Sequence, residues 1–417
     1  MKRLFIVSAC LLSLISAPAA DWPQYRGPNG DGTTNDKILT TWPADGPKVL
    51  WRHKIGNGIG APAIVGNSCY IMAELNKDEV CIAYDIEKGK ELWTTKLGKT
   101  IFEKSGGNGP RVTPTVVDGR VYVYGSYLNL SCLDAKTGKV LWQHDVQNEF
   151  NGQNETKGIK AWGNAQSVIV DGDAVMVAGG GEGQSFLIFD RITGKLRSMC
   201  GSDLITHGTP TLTTINDQRQ VIFLTQSGLV SYKNDGTRLW NADFPWAVSS
   251  AISPIMYQNK VYISAGYGTG AGTFEIKREG NQWQATAIWR LKGKLENHWS
   301  TPIIHNGYLY GLYGFKQYNT MPIKCIELAT GKEMWSEDGF GQGGTILIGD
   351  KVMILGDQGQ LVLINASPDK YTEVARAQVL TKDCWNNPAV ANGFVVCRSK
   401  TEITCLDLRV KESELSK

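Results

Sequence analysis

Apolar residues along this chain come in short runs that end at Gly, Asn, Asp or Pro, and no run continues at helical spacing. That pattern predicts many short strands joined by tight turns. One phrase recurs. It reads Leu133-Asp134-Ala135-Lys136-Thr137-Gly138-Lys139-Val140-Leu141-Trp142, and returns as Tyr84-Asp85-Ile86-Glu87-Lys88-Gly89-Lys90-Glu91-Leu92-Trp93 and as Ile326-Glu327-Leu328-Ala329-Thr330-Gly331-Lys332-Glu333-Met334-Trp335. Shorter copies stand at Phe189–Leu196 and Asn234–Trp240. The phrase predicts a hairpin. Asp caps the turn with its side chain, Gly takes the left-handed position, and the Trp on the second strand wedges between neighbouring sheets.

A second phrase precedes each of these: a short strand opening at Pro, a turn four residues on, then another apolar strand. Pro62, Pro114, Pro210, Pro254, Pro302 and Pro388 open six copies, and Ser167 and Thr345 stand where Pro would be in two more. Eight units of four strands fill 48–408 at about 45 residues each, the arithmetic of propeller blades. The fold expected is all-β: an eight-bladed β-propeller of four-stranded antiparallel blades. Lys48-Val49-Leu50-Trp51 is an outer strand with no inner strands before it, and the last unit, from Pro388 to Leu408, lacks its own Trp strand. The N-terminal strand is therefore expected to complete the last blade and remove the exposed sheet edges. An α/β sheet would need helical segments of about 10–15 residues between strands, and none is visible.

Composition narrows the class. The 417 residues carry a formal charge of +3, two units of it from Lys2 and Arg3. A near-neutral chain is a poor electrostatic partner for nucleic acid. Residues 1–19 read as a secretory signal peptide: a basic head, an apolar run from Leu4 to Ile15, and small residues in Ala17-Pro18-Ala19. Val7-Ser8-Ala9-Cys10 formally fits a lipoprotein box but leaves too short an apolar run before the cut. No later run suffices to span a membrane, so a periplasmic or extracellular, monomeric protein is expected. Residues 20–47 read as an extended segment and 409–417 as a tail. Eight cysteines remain after the leader, none in C-x-x-C spacing. Cys397 and Cys405, flanking a hairpin near Thr401, are the candidate disulfide.

These repeats resemble the PQQ-like β-propeller repeat family, which includes quinoprotein alcohol dehydrogenases and the outer-membrane assembly scaffold BamB. Asp21-Trp22-Pro23-Gln24-Tyr25-Arg26-Gly27-Pro28-Asn29-Gly30-Asp31-Gly32 also looks like the start of a group of secreted bacterial PQQ-like repeat proteins. The repeat specifies fold more than function. For a dehydrogenase, the resemblance implies a vicinal Cys-Cys disulfide over the cofactor, a Trp floor, and a Glu, Asn and Asp set for calcium and proton abstraction. The sequence has no adjacent cysteine pair.

Propeller ligands sit on inter-blade loops at a channel mouth. Taking the residue three before each Pro-equivalent position gives Ile59, Arg111, Asn164, His207, Ala251, Trp299, Gln342 and Trp385. Adjacent positions add Trp162, Trp246, His298, Asp383 and Asn386. The candidate ligand-binding set is Arg111, Trp162, Asn164, His207, His298, Trp299, Gln342, Asp383, Trp385 and Asn386, a mixture of flat rings with amide, imidazole and guanidinium groups. It suits a sugar, peptide or aromatic ligand. His207 and His298 lie in non-adjacent blades with no carboxylate at ligand spacing, so no metal site and no catalytic set is expected. A carboxylate pair for glycoside cleavage would come from Glu103, Asp203, Glu296 and Asp383, all on inter-blade segments. The long loop from Val146 to Gly163 and the segment 21–32 are further functional candidates, the latter expected to pack across the propeller with Arg26 on a carboxylate or a carbonyl.

The function expected is an exported, non-catalytic propeller serving as a ligand-binding or protein-interaction scaffold. Its partners would be envelope proteins or a carbohydrate or other small molecule, with no nucleic acid and no cofactor. The alternatives are a PQQ-dependent oxidoreductase of alcohols or sugars, which would need PQQ with Ca2+, and a carbohydrate-active propeller.

Overall fold

In the hairpin that opens at Asp134, the carboxylate accepts from the Thr137 N–H (2.8 Å) and hydroxyl (2.7 Å), and Gly138 sits at φ 72°. Asp190 and Thr193 repeat the arrangement at 2.8 and 2.9 Å. The glycine has a second duty. A Cβ on Gly138 would stand 2.6 Å from a ring carbon of Trp93, and one on Gly89 2.5 Å from Trp51. Each turn thus receives the tryptophan of the preceding blade against its bare backbone. The indole N–H then donates to the same turn: Trp51 to Ile86 O (2.7 Å), Trp93 to Ala135 O (3.0 Å), Trp289 to Leu328 O (2.8 Å) and Trp335 to Ser367 O (2.9 Å). The repeated phrase is a lock between blades, with key and socket on successive units. Trp240 departs from this, donating to Gln220 within its own blade at 2.7 Å.

The computed structural model describes residues 21–102, 107–152, 162–317 and 319–410. The leader expected over 1–19 and its Cys10, Glu103, residues 153–161 of the long loop, and the tail from 411 onward lie outside the described residues. Eight sheets, each built on four antiparallel strands, form an eight-bladed β-propeller. The inner strands are Ala63–Val65, Thr115–Val117, Ile169–Asp171, Thr211–Ile215, Ile255–Tyr257, Ile303–His305, Gly344–Ile348 and Ala389–Ala391, for blades 1 to 8. Lys48–Lys54 pairs antiparallel with Glu402–Asp407, Val49 opposite Leu406 and Trp51 opposite Cys405, with a bulge at Leu50. The N-terminal strand therefore closes blade 8. The one helix among the described residues is Val146–Glu149, capped by Asp145.

At the waist of the channel, hydroxyls stitch blade to blade. Thr113 N donates to Ser167 Oγ (3.0 Å), Ser167 N to Thr209 Oγ1 (3.0 Å), and Ser253 N to Thr301 Oγ1 (3.1 Å). These residues precede Pro114, Val168, Pro210, Pro254 and Pro302, so the true Pro-equivalent of blade 3 is Val168, one beyond the Ser167 assigned from sequence.

Cys397 and Cys405 do not bridge; all eight described cysteines are free. The register pairs Cys397 with Thr404 and Cys405 with Val396, which sends the two thiols to opposite faces of the sheet. Burial pushes thiols up, that of Cys69 to about 12.

The segment from Asp21 forms a strap across the lower end of the channel, where the inner strands finish. Trp22 and Ile64 exchange two backbone bonds of 2.8 Å, and Val116 N donates to Pro23 O at 2.8 Å. The buried guanidinium of Arg26, its pKa lowered by desolvation, reaches Thr301 O (2.8 Å), Pro302 O (2.7 Å) and Asp31 O (2.7 Å). Thr33–Thr34 then adds to blade 7 as a parallel fifth strand. The strap runs from blades 1 and 2 to blades 6 and 7, and its arginine is held by carbonyls rather than a carboxylate.

Candidate ligand site at the channel mouth

At the upper end, where the inner strands begin, the loops enclose a cavity of about 1120 Å³ with its open mouth included. Of the residues singled out from sequence, Arg111, Trp162, His207, His298, Trp299, Trp385 and Asn386 line it. Asn164, Gln342 and Asp383 do not, each for a local reason.

Asn164 is a bracket. Its amide donates to Tyr124 O (2.8 Å) and Gln166 O (3.1 Å), and its oxygen accepts from Gln166 N (3.0 Å). Once Val168 is taken as the Pro-equivalent, the mouth position of blade 3 becomes Ala165, which does line the cavity. Gln342 turns outward. Its side-chain oxygen, in the orientation that satisfies both ends of the amide, accepts from Lys316 N (2.7 Å) and Gln317 N (3.1 Å). It braces the loop that brings Phe315 and Lys316 to the cavity. Asp383 stands behind the wall, 3.9 Å from Lys400 Nζ, and that ammonium lies 3.8 Å from the centroid of the Trp385 ring.

The mouth has an aromatic side and a polar side. Trp299 of blade 6 and Trp385 of blade 8 meet at 5.8 Å between ring centroids. They meet across blade 7, whose approach is Gly339-Phe340-Gly341-Gln342-Gly343-Gly344. A Cβ on Gly343 would fall 1.7 Å from Leu355 O. The backbone there is pressed against its own hairpin and sends no side chain into the channel, which leaves the space the two indoles fill. His298 packs edge to face against Tyr267, Phe315 and Trp299, and Tyr267 and Phe315 meet at a tilt, 4.3 Å apart. Opposite, Trp162 stands edge-on to His207 at 6.1 Å.

Burial first, then His207 and Lys316, push the His298 imidazole down to about 3, so it is neutral at physiological pH. Its Nδ1 has no hydrogen-bond partner among the described residues, nor have Asn386 Oδ1 and Asn387 Nδ2 on the same wall. Arg111 donates to Gly109 O (2.9 Å) and Gly107 O (2.8 Å), which fixes its guanidinium at the rim. Tyr25 of the strap floors the cavity, its hydroxyl 3.4 Å from Thr301 Oγ1.

Sequence indexing missed Tyr25, Tyr267, Phe315, Lys316 and Asn387. Tyr267 and the Phe315–Lys316 pair ride on hairpins between second and third strands, which open at the same mouth as the inter-blade loops. Counting back from Pro reaches only the latter.

The family model described as outer membrane protein assembly factor BamB matches residues 33–197 and 77–310. A search of curated proteins found no match. Among solved structures, the quinohemoprotein alcohol dehydrogenase of Comamonas testosteroni is similar at 13% identity and TM-score 0.64, over 94% of this chain and 81% of that one. That of Pseudomonas putida HK5 follows at 12% and 0.60, over 93% and 80%. The computationally designed Ika8 protein matches at 14% and 0.56, over 86% and 98%. At such identities these likenesses speak to fold alone.

The described residues of this mouth do not supply the calcium ligands that the resemblance implies. A calcium ion takes about 6–8 oxygen ligands, carboxylates foremost, and no described residue lining the cavity is Asp or Glu. No group of three His, Cys, Asp or Glu suited to a metal stands together among the described residues.

Proposed function

The chain belongs to the PQQ-like β-propeller repeat family, and from that premise we propose that it is an exported, monomeric, non-catalytic propeller that binds a ligand at its upper mouth. The ligand class is a small ring-bearing molecule, a sugar or an aromatic compound, rich in hydrogen-bond acceptors. One observation carries this reading. The cavity joins an indole pair at 5.8 Å with two cationic residues, Arg111 and Lys316, and with no described carboxylate. Flat rings stack on ligand rings, and cations with amides take acceptors. The unpartnered Asn386 and Asn387 amide atoms supply donor and acceptor capacity that a ligand would use.

Among the described residues no helix is long and apolar enough to cross a membrane. Export rests on the leader over 1–19, and N-terminal sequencing of the protein from the periplasmic fraction is expected to begin at Ala20.

The test is titration of the purified protein with neutral and acidic saccharides and with aromatic acids, followed by tryptophan fluorescence and calorimetry. Saturable quenching is expected, weakened about tenfold or more in Trp385→Ala, since stacked aromatics carry much of such binding energy. A retained chromophore after adding PQQ with Ca2+, together with alcohol-dependent dye reduction, would overturn the non-catalytic reading.

A further inference from the structure

The lower channel holds a second cavity, about 1670 Å³ with its opening included. The strap forms one wall and the inner strands of blades 2 to 5 form the other. The strap itself shows what these inner edges bind. In blade 1 the Ile64 N–H donates to Trp22 O, in blade 2 Val116 N–H to Pro23 O, and in blade 7 Leu347 N–H to Gly32 O, all at 2.8 Å. Each donor sits one residue before the end of its inner strand. The same position is Val170 in blade 3, Thr214 in blade 4 and Met256 in blade 5, and all three line the open cavity. Blade 4 offers the longest run. Its inner strand has five residues where most others have three, and Thr211 to Thr214 are all at least partly exposed.

We propose that this open half of the channel receives a second extended peptide segment, supplied by another protein, which adds to the inner edge of blade 4 as the strap adds to blade 7. Its carbonyls would take the N–H groups of Thr214 and of Val170 or Met256 beside it, by strand addition. The interface is continuous with an existing one, because the strap is both the precedent and the facing wall. The segment would be uncharged, with small or β-branched side chains. The charged groups around the cavity already have partners: Arg219 with Asp171 at 3.2 Å, and Asp31 with the Thr33 N–H and hydroxyl at 2.9 Å. The uncharged residues left at least partly exposed on the inner-strand wall include Val170, Thr211 to Thr214, Met256 and Gln258. This site lies below the upper cavity and shares Tyr25, Ser167 and Thr209 with it at the waist, but the proposed contacts at Val170, Thr214 and Met256 lie outside that cavity, so neither reading depends on the other.

The probe is a fluorescein-labelled decapeptide of alternating Thr and Val, added to the full chain. Saturable anisotropy and slowed amide exchange at Val170, Thr214 and Met256 are expected. Thr214→Pro removes a channel-facing N–H while sparing the bonds to the second strand, because proline is tolerated where the N–H faces away from the ladder. It is expected to weaken binding about tenfold, the scale of one good hydrogen bond. Met256→Pro is the second variant, and thermal melts confirm that each still folds. The proposal is overturned by an absence of saturable binding to the parent protein, by undiminished binding in both proline variants, or by protection at the upper mouth instead. It is also overturned if cellohexaose, a neutral linear saccharide, protects these amides and the peptide does not.

Discussion

Two buried ionisable groups beside the upper mouth tie single residues to pH. His298 titrates at 6.5 in the unfolded chain and near 3 in the fold, because burial, His207 and Lys316 all disfavour its cation. The stability it confers is present above about 6.5 and is lost as pH falls toward about 3, since the unfolded chain takes up the proton first. Glu79 runs the other way. Burial raises it above 4.5, against the Ser126 hydroxyl and N–H that hold its carboxylate. Its contribution is complete below about 4.5 and falls as pH rises through the raised value. Melts from pH 7 to 4 should therefore show a shallower loss of Tm in His298→Gln than in the parent, and a steeper one in Glu79→Gln. A parallel shift at all pH values would show that neither group titrates as described. None of this was legible beforehand, because both environments are assembled from different blades.

The element that repeats is the turn with its tryptophan. Gly138 is required twice, by a φ of 72° and by the Trp93 ring 2.6 Å from where a Cβ would stand. Gly138→Ala should cost about 3 kcal/mol, and Trp93→Ala about 3–5 kcal/mol. The double variant should cost less than the sum, because the colliding ring is gone and only the backbone strain and the Thr95 hydroxyl, 2.6 Å from the same Cβ position, remain. Additive losses in urea unfolding would rule out the lock. Sequence showed the hairpin and the wedge. It did not show that socket and key belong to successive copies, nor that Trp240 turns to its own blade.

At the scale of the whole molecule, two N-terminal segments do different work. Removing residues through Thr34 takes away the strap, the Arg26 clamp and the fifth strand on blade 7, but leaves the ring closed. Removing residues through Lys54 also strips Lys48–Lys54 from Glu402–Asp407 and bares a six-residue edge in blade 8. Light scattering should find the first truncation monomeric with a lowered Tm and the second associating through that edge. If both stay monomeric, the closing strand does not protect the ring. The sequence by itself determined the eightfold repeat, the four strands per unit and the closing strand, because hairpins are written in short-range alternation and turn residues. Only the tertiary structure decided which residues line the candidate cavity. Asn164 and Gln342 fall at mouth positions by counting, yet neighbouring blades draw both amides into bracing. Tyr25 and Phe315, far from any counted position, are carried to the same channel by the strap and by a hairpin. Spacing along the chain fixes which residues share a strand, whereas the direction of a side chain in the channel depends on contacts between blades that are distant in sequence.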